Sequence, residues 1–138
     1  MLFVLVPYRD REYHLQCLLR STLEPLQRTE GVHVVICEQA GGDKKFNRGR
    51  VLNAGVLHVL SRGAGVHDEV LFHDVDLEPS RGLLGAYTQM TGEVVHFGCA
   101  FERYDGDSYF GGVLRMRIST FLAVGGYPST FWGWGGED

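Results

Sequence analysis

Short apolar runs alternate along the chain with stretches of helical spacing. Residues 2–6, 32–37 and 70–72 are largely continuous apolar runs of strand length, which is typical of strands buried on both faces. Between them, leucines recur at spacings of three and four over residues 15–26, and a second apolar stripe covers residues 51–60. This spacing predicts two helices, each with one buried face.

The later part of the chain predicts shorter elements. Residues 94–97 and 111–116 have strand character, and Ser119 is the predicted N-cap of a short helix that ends at Gly125. Pro7 is expected to close the first strand, because a proline cannot donate to a central ladder. Strands that alternate with helices predict an α/β fold with a mostly parallel central sheet and flanking helices.

Composition favours a single domain over residues 1–138. Hydrophobic residues make up 44% of the chain, and 17 acidic against 13 basic residues give a charge of -4 without long runs of either sign, so nucleic-acid binding is not expected. The apolar runs are far shorter than the roughly 20 residues of a membrane span, so no membrane contact is expected from this segment. Cys17, Cys37 and Cys99 are read as buried thiols, with one disulfide left open.

Polar clusters follow the first three predicted strands. The sequence Pro-Tyr-Arg-Asp-Arg at residues 7–11 follows the first strand, Phe-Asn-Arg at residues 46–48 precedes the second helix, and Asp-Val-Asp at residues 74–76 follows the third strand. In parallel sheets of this class, ligands bind beyond the carboxyl ends of the strands. The three clusters are therefore expected to meet in one site.

Alternation within these clusters indicates a cation and a phosphate group. Asp74 and Asp76 lie two residues apart, so in extended backbone both carboxylates face one space. Such a pair suits Mg²⁺ or Mn²⁺, which take oxygen ligands and complete their shells with phosphates and water. Arg9 and Arg11 alternate similarly, and guanidinium groups bind phosphate oxygens in pairs of hydrogen bonds. The alternatives are an ordinary acidic turn and a solvated basic loop.

The most unusual stretch is residues 131–138, which read Phe-Trp-Gly-Trp-Gly-Gly-Glu-Asp. Indoles beside glycines suit stacking on sugar rings, with a packed aromatic turn as the alternative. Glu137 and Asp138 can serve as an acceptor-binding group and a general base. The six histidines show no zinc-site spacing, and the glycine-rich, P-loop and Gly-x-Ser-x-Gly motifs are absent from the sequence.

Taken in order, five motifs make the chain resemble the β-1,4-galactosyltransferase family: residues 7–11, 46–48, 74–76, 109–112 and 132–138. The resemblance spans nearly the whole chain. It implies a Rossmann-like nucleotide-diphospho-sugar transferase fold of the GT-A type, in which residues 1–80 bind the nucleotide sugar and residues 81–138 begin the acceptor-binding part.

The resemblance also implies a reaction, in which galactose passes from UDP-galactose to a terminal sugar hydroxyl in a β-1,4 linkage with inversion and Mn²⁺. His73 directly before Asp74 resembles the sequence of the family branch that acts on xylose. Residues 109–112 and 39–41 instead resemble the sequence of the branch that acts on N-acetylglucosamine, so the acceptor stays open. An N-acetylgalactosaminyltransferase and a non-catalytic carbohydrate-binding domain are the alternatives. The family implies a membrane-anchored protein of the Golgi lumen.

Site residues follow from the resemblance. The implied nucleotide-sugar site consists of Pro7, Arg9, Arg11, Phe46, Asn47, Arg48, Asp74, Val75, Asp76 and Trp134. The implied acceptor site consists of Tyr109, Gly112, Gly136, Glu137 and Asp138. Asp76 is the implied Mn²⁺ ligand and Asp74 faces the donor sugar. Asp138, next to Glu137, is the implied base that takes the proton of the attacking hydroxyl.

One departure from the family gives a further expectation. The family continues past the Glu-Asp pair with more acidic residues and a later segment whose His completes the metal site, whereas nothing follows Asp138 in this sequence. The 138-residue segment is therefore expected to lack the C-terminal part of the fold and to be inactive alone. The family's N-terminal anchor and stem also lie outside this segment.

Overall fold

The computed structural model describes residues 1–89, 93–102 and 110–133. The strands are β1 Leu2–Tyr8, β2 Val32–Glu38, β3 Glu69–His73, β4 Val94–His96 and β5 Val113–Arg117. The helices are α1 Glu12–Leu18, α2 Glu24–Gln27, α3 Arg48–Ser61, α4 Arg81–Gln89 and α5 Ile118–Ala123. A π-helical turn, Leu19–Leu23, joins α1 to α2, and a 3₁₀ turn spans Gly98–Ala100.

The five strands form one mixed sheet in the order β2-β1-β3-β5-β4. β1 pairs in parallel with β2 and β3, while β5 pairs antiparallel with both β3 and β4. The predicted α/β class is confirmed. Because β1, β2 and β3 run in the same direction, the segments that follow them leave the sheet at a single edge, where a ligand site is expected.

Helices cover both faces of the sheet. Phe3 and Leu5 of β1 face α3 and α5, whereas Val4 and Val6 face the opposite layer, which contains α1, α2 and α4. Val4, Leu5 and Val6 are completely buried. The continuous apolar run of the first strand therefore results from cover on both faces.

The expectation that Pro7 closes the first strand is wrong, because β1 continues to Tyr8. The Tyr8 carbonyl accepts a 3.0 Å hydrogen bond from the Gln39 N–H, on the side of β2. The backbone polar groups of neighbouring residues in a strand point toward opposite sides, so the backbone nitrogen of Pro7 faces β3. The pairing of β1 with β3 has already ended at Leu5 and Phe72. No ladder bond is lost at the proline.

The predicted N-cap of the last helix is also wrong. Ser119 lies inside α5, which begins at Ile118. The N–H groups of Ile118 and Ser119 donate to the backbone carbonyls of Asp68 and Val66 at 2.9 and 2.8 Å, so backbone atoms satisfy the helix start. The helix ends at Ala123, two residues before the predicted end, and Gly125, with φ of 85°, follows the C-cap Val124 in the left-handed conformation common after helices.

All three cysteines are free thiols. Cys37 is buried as expected, and burial raises the pKa of its thiol to about 11. Cys17 is half-buried, and Cys99 is exposed, so the expectation of burial is wrong for Cys99. Among the described residues, no helix has the length and apolar character needed to cross a bilayer.

Candidate functional site

The predicted acidic pair lies directly after β3, in the Asp-Val-Asp turn, defined as residues 74–76. Val75 is 9% exposed and packs into the core, while Asp74 and Asp76 are half-buried on either side of it. The Asp74 N–H donates a 2.9 Å hydrogen bond to the Gly112 carbonyl, just before β5. The end of β3 therefore places two aspartates at the carboxyl edge of the sheet, in a turn rather than in the extended backbone that their alternation predicts.

Arg48 lies against this turn from the first residue of α3. Its Nε donates a 2.8 Å hydrogen bond to Asp74 Oδ1, and its guanidinium carbon lies 5.4 Å from the centroid of the Tyr127 ring. The Arg48 side chain is only 9% exposed. A buried guanidinium needs a charged partner, and Asp74 supplies it, so α3 and the Asp-Val-Asp turn are held together by charge.

His73 closes β3 beneath the turn and is completely buried. Its Nδ1 lies 2.9 Å from the Asp74 carbonyl oxygen, and its Nε2 lies 3.1 Å from the Tyr87 hydroxyl of α4. Burial lowers the pKa of His73 to about 4, against smaller raising effects of the Asp74 carbonyl and the Asp76 charge. The imidazole is therefore neutral at physiological pH and acts as a structural group beside the acidic pair.

Arg9 holds the loop that follows β2. Its Nη1 and Nη2 donate to the carbonyls of Lys44 and Gly42 at 2.7 and 3.0 Å. Asp10, next to it, has a φ of 50°, which turns the chain sharply toward α1. Arg11 is exposed at the entry to α1. The two predicted phosphate-binding arginines thus lie in different surroundings, and Arg9 already bonds backbone oxygens.

Asn47 caps α3 and is 1% exposed. Its Oδ1 accepts from the Arg50 N–H at 2.9 Å, and its Nδ2 donates to the Ser129 carbonyl at 3.0 Å. Its own N–H donates to Gln39 Oε1 at 2.8 Å. The side-chain amide thus joins the start of α3 to Ser129, and the backbone N–H joins it to Gln39, while the role of Asn47 in the nucleotide-sugar site stays a prediction.

Trp132 lies beside the same loop. Lys44 Nζ and Arg50 Cζ lie 5.1 and 5.6 Å from its ring centroid, which are cation–π distances. The next residue, Gly133, donates its N–H to the Phe46 carbonyl at 2.7 Å. The beginning of the aromatic motif is thereby attached to the loop between β2 and α3, which carries the second polar cluster.

A groove of about 660 Å³ opens between the end of β2, the loop after it and α3. Its wall includes Cys37, Lys44, Asn47, Arg50 and Trp132. Neither aspartate of the Asp-Val-Asp turn lines it. The groove and the acidic turn are therefore different parts of the carboxyl edge, one mainly apolar and one charged.

Several predicted residues lie outside the described residues: Tyr109, Trp134, Gly136, Glu137 and Asp138. Of the implied acceptor set, Gly112 is described, with a φ of 82° that favours glycine. Within residues 1–89, 93–102 and 110–133, no three His, Cys, Asp or Glu side chains come together as a metal site. Pro7 is buried at the end of β1, near the start of the site.

Two family descriptions together match nearly the whole chain. Residues 1–83 match the N-terminal region of glycosyl transferase group 7, and residues 93–138 match the N-terminal domain of galactosyltransferase. The chain belongs to the β-1,4-galactosyltransferase family. The family resemblance carried by the five sequence motifs is thus confirmed.

Curated β-1,4-galactosyltransferases are similar over 98% of this chain. The mouse β-1,4-galactosyltransferase 2 is 37% identical over 145 residues, and the human β-1,4-galactosyltransferase 4 is 39% identical over 140 residues. The zebrafish β-1,4-galactosyltransferase 5 is 37% identical over 145 residues. The chain spans 37%, 39% and 35% of the lengths of these relatives.

Solved β-1,4-galactosyltransferase structures share the fold. The Drosophila β-1,4-galactosyltransferase 7 catalytic domain, complexed with xylobiose, has a TM-score of 0.81 and 30% identity over 99% of this chain and 57% of that one. A mutant of the same enzyme, complexed with manganese, UDP-Gal and xylobiose, has a TM-score of 0.79 and 28% identity, covering 99% and 56%. The predicted GT-A type is confirmed.

Proposed function

We propose that this chain forms the donor-side part of an inverting glycosyltransferase that moves galactose from UDP-galactose to a terminal sugar hydroxyl in a β-1,4 linkage. The observation that carries the proposal is the placement of Asp74, Asp76 and Arg48 at the carboxyl edge of a sheet of this family. The Drosophila relative complexed with manganese, UDP-Gal and xylobiose supports the same donor, metal and acceptor class.

Donor binding is assigned to the residues around the Asp-Val-Asp turn. Asp76 offers a hard oxygen donor that fits Mn²⁺, and a bound metal would offset the charge that develops on the departing UDP. Asp74, aligned by Arg48, faces the donor sugar. Arg9 and Arg11, with Pro7, Phe46, Asn47 and Val75, form the nucleotide side of the site, and Trp134 lies toward the sugar.

Acceptor binding is assigned to the later motifs. Tyr109, Gly112, Gly136 and Glu137 bind the acceptor sugar, which is N-acetylglucosamine or xylose on a glycan. Asp138 takes the proton of the attacking hydroxyl as that oxygen bonds to the anomeric carbon and the bond to UDP breaks on the opposite face. A single displacement of this kind inverts the anomeric configuration. The whole protein is proposed to work in the Golgi lumen.

The proposal is tested by calorimetry of UDP binding with and without Mn²⁺. We expect Mn²⁺ to strengthen UDP binding, and Asp76→Asn to abolish the strengthening, because the amide keeps the shape of the carboxylate but loses its charge. Glu30→Gln is the matched control, since Glu30 is exposed just before β2, at the opposite edge of the sheet.

Two results would count against the proposed function. Equal UDP binding by Asp76→Asn and the unsubstituted chain, in the presence of Mn²⁺, would exclude Asp76 as the metal ligand. Binding of a glycan without any effect of UDP or Mn²⁺ would favour a non-catalytic carbohydrate-binding domain instead.

A further inference from the structure

The backbone of the Asp-Val-Asp turn is held by a side chain that has no part in the proposed chemistry. His73 Nδ1 lies 2.9 Å from the Asp74 carbonyl oxygen, which can only accept, so Nδ1 carries the hydrogen. His73 Nε2 is then the acceptor, and the Tyr87 hydroxyl donates to it over 3.1 Å. The two hydrogen bonds therefore specify a single neutral tautomer.

Tyr87 is itself fixed from several sides. It is completely buried, and its ring meets the rings of His73 and Phe97 edge to face, at centroid distances of 5.5 and 4.9 Å. Its backbone carbonyl accepts a 2.7 Å hydrogen bond from Arg115 Nη1 of β5. Arg115 is 5% exposed and pairs with Glu69 of β3. Tyr87 thus ties α4 to the sheet through its backbone and to His73 through its hydroxyl.

The Asp-Val-Asp turn is consequently fixed at both backbone polar groups of Asp74, its N–H and its carbonyl. Gly112 accepts from the Asp74 N–H at 2.9 Å, and His73 donates to the Asp74 carbonyl. The implied metal ligand Asp76 lies only two residues further on. A ligand group must stay within roughly 0.5 Å of its productive position to keep its effect, so rotation of this peptide would displace the Asp76 carboxylate.

We propose that His73 and Tyr87 are positioning residues, which hold the Asp-Val-Asp turn in the shape that binds a divalent cation and a nucleoside diphosphate. The ligand in this inference rests on the proposed function. The positioning of the turn by His73 and Tyr87 does not rest on the proposed function, because it depends only on the buried hydrogen bonds.

The first test compares Tyr87→Phe with Phe97→Leu. Tyr87→Phe removes only the hydroxyl, whereas Phe97→Leu removes aromatic packing against the same ring without touching a polar group. We expect Tyr87→Phe to weaken Mn²⁺-dependent UDP binding about three- to tenfold, the effect of one lost hydrogen bond. Phe97→Leu should leave that affinity unchanged. Equal losses in the two variants would show that only general packing is involved and would overturn the inference.

The second test needs no ligand. The N–H of Leu77 also donates to the Asp74 carbonyl, at 3.4 Å. Amide hydrogen exchange at Asp74 and Leu77 should accelerate in Tyr87→Phe and in His73→Phe, but not in Phe97→Leu. His73→Asn should restore slow exchange in part, because its side-chain amide can donate from near the position of Nδ1. Unchanged exchange in both Tyr87→Phe and His73→Phe would overturn the positioning role.

The two tests separate the inference from the proposed function. Failure of the unsubstituted chain to bind UDP with Mn²⁺ would refute the proposed function, and the exchange rates would still decide whether His73 and Tyr87 hold the turn.

Discussion

At the scale of single residues, the second polar cluster shows how a binding motif and a folding motif share the same positions. Asn47 was predicted from the family to lie in the nucleotide site, yet its side-chain amide joins α3 to the Ser129 carbonyl, and its N–H reaches Gln39. Arg48, its neighbour, pairs with Asp74. The two residues thus connect the start of α3 to the segments around it, namely Gln39, Ser129 and the Asp-Val-Asp turn.

The cap at Asn47 gives a stability prediction. Asn47→Ala should lower the free energy of unfolding by about 1–2 kcal/mol, because it removes the N-cap acceptor of α3 and the hydrogen bond to the Ser129 carbonyl. Ser61→Ala, which removes an exposed hydroxyl bond to the His58 carbonyl at the other end of α3, should change it by no more than about 0.5 kcal/mol. Urea unfolding of the two variants measures the difference, and equal effects would contradict the assigned role.

At the scale of elements, α3 lies closer to its neighbours than a side chain would allow at two positions. A Cβ at Gly49 would lie 2.5 Å from the backbone oxygen of Pro128, and a Cβ at Gly55 would lie 2.6 Å from Cys37 Sγ. The glycines therefore let α3 contact β2 on one side and the segment before Trp132 on another. The relative position of two walls of the site depends on them.

Glycine-to-alanine substitutions should separate this close approach from helix propensity. Gly49→Ala should destabilise the protein by about 1–3 kcal/mol, because the backbone at Pro128 must move away. Gly85→Ala, in α4, should instead stabilise it by up to about 1 kcal/mol, since nothing lies within 4 Å of the added methyl group and alanine favours the helix. Thermal unfolding measures both, and a stabilised Gly49→Ala variant would refute the contact.

The sequence pattern predicted the elements better than their ends or their order. Apolar spacing was sufficient for β1, β3 and α3, because the two strands are buried over nearly their whole length and the helix along one stripe. Pro7 and Ser119 were misjudged because the outcome depended on backbone groups from distant segments, namely Gln39, Asp68 and Val66. No local pattern contains those partners.

Within the site, the same limit applies. The position of Asp74 and Asp76 directly after β3 was predictable, since it depends only on where the apolar strand ends, whereas the turn that they adopt was not. The pairing of Asp74 with Arg48, and the buried bond between His73 and Tyr87, join residues 26 and 14 positions apart. Tyr87 was missed entirely, because no helix was predicted over residues 81–89, and the available signal was a single aromatic residue with a polar tip.

At the scale of the whole molecule, the two family-matched segments form a single sheet. β5, from the later segment, pairs with β3 over five residues, and Arg115 of β5 pairs with Glu69 of β3. Trp132 of the later segment contacts Lys44 and Arg50 of the earlier one. Each of the two hydrophobic clusters, one on either face of the sheet, contains buried residues from both segments.

This arrangement predicts one cooperative unfolding transition. Both tryptophans, Trp132 and Trp134, belong to the later segment, so fluorescence reports on that segment, whereas α1, α2 and α3 of the earlier segment supply most of the helical circular dichroism. We expect coincident midpoints in urea. Leu52→Ala, at a completely buried position of α3, should shift both midpoints together by an amount equivalent to about 2–5 kcal/mol. Two separate midpoints would show that the segments fold independently.

The hydrogen bond between the Asp74 N–H and the Gly112 carbonyl also closes a large loop. The chain leaves the sheet after β3, adds β4 at the outer edge beside β5, and returns just before β5, so this excursion begins and ends at one backbone contact, 2.9 Å across. The entropy of closing a loop grows only logarithmically with its length, by roughly 0.6 kcal/mol for each doubling. Insertions in the excursion would therefore lengthen it at little cost to the sheet, and evolution can diversify this region while the strands on either side keep their register.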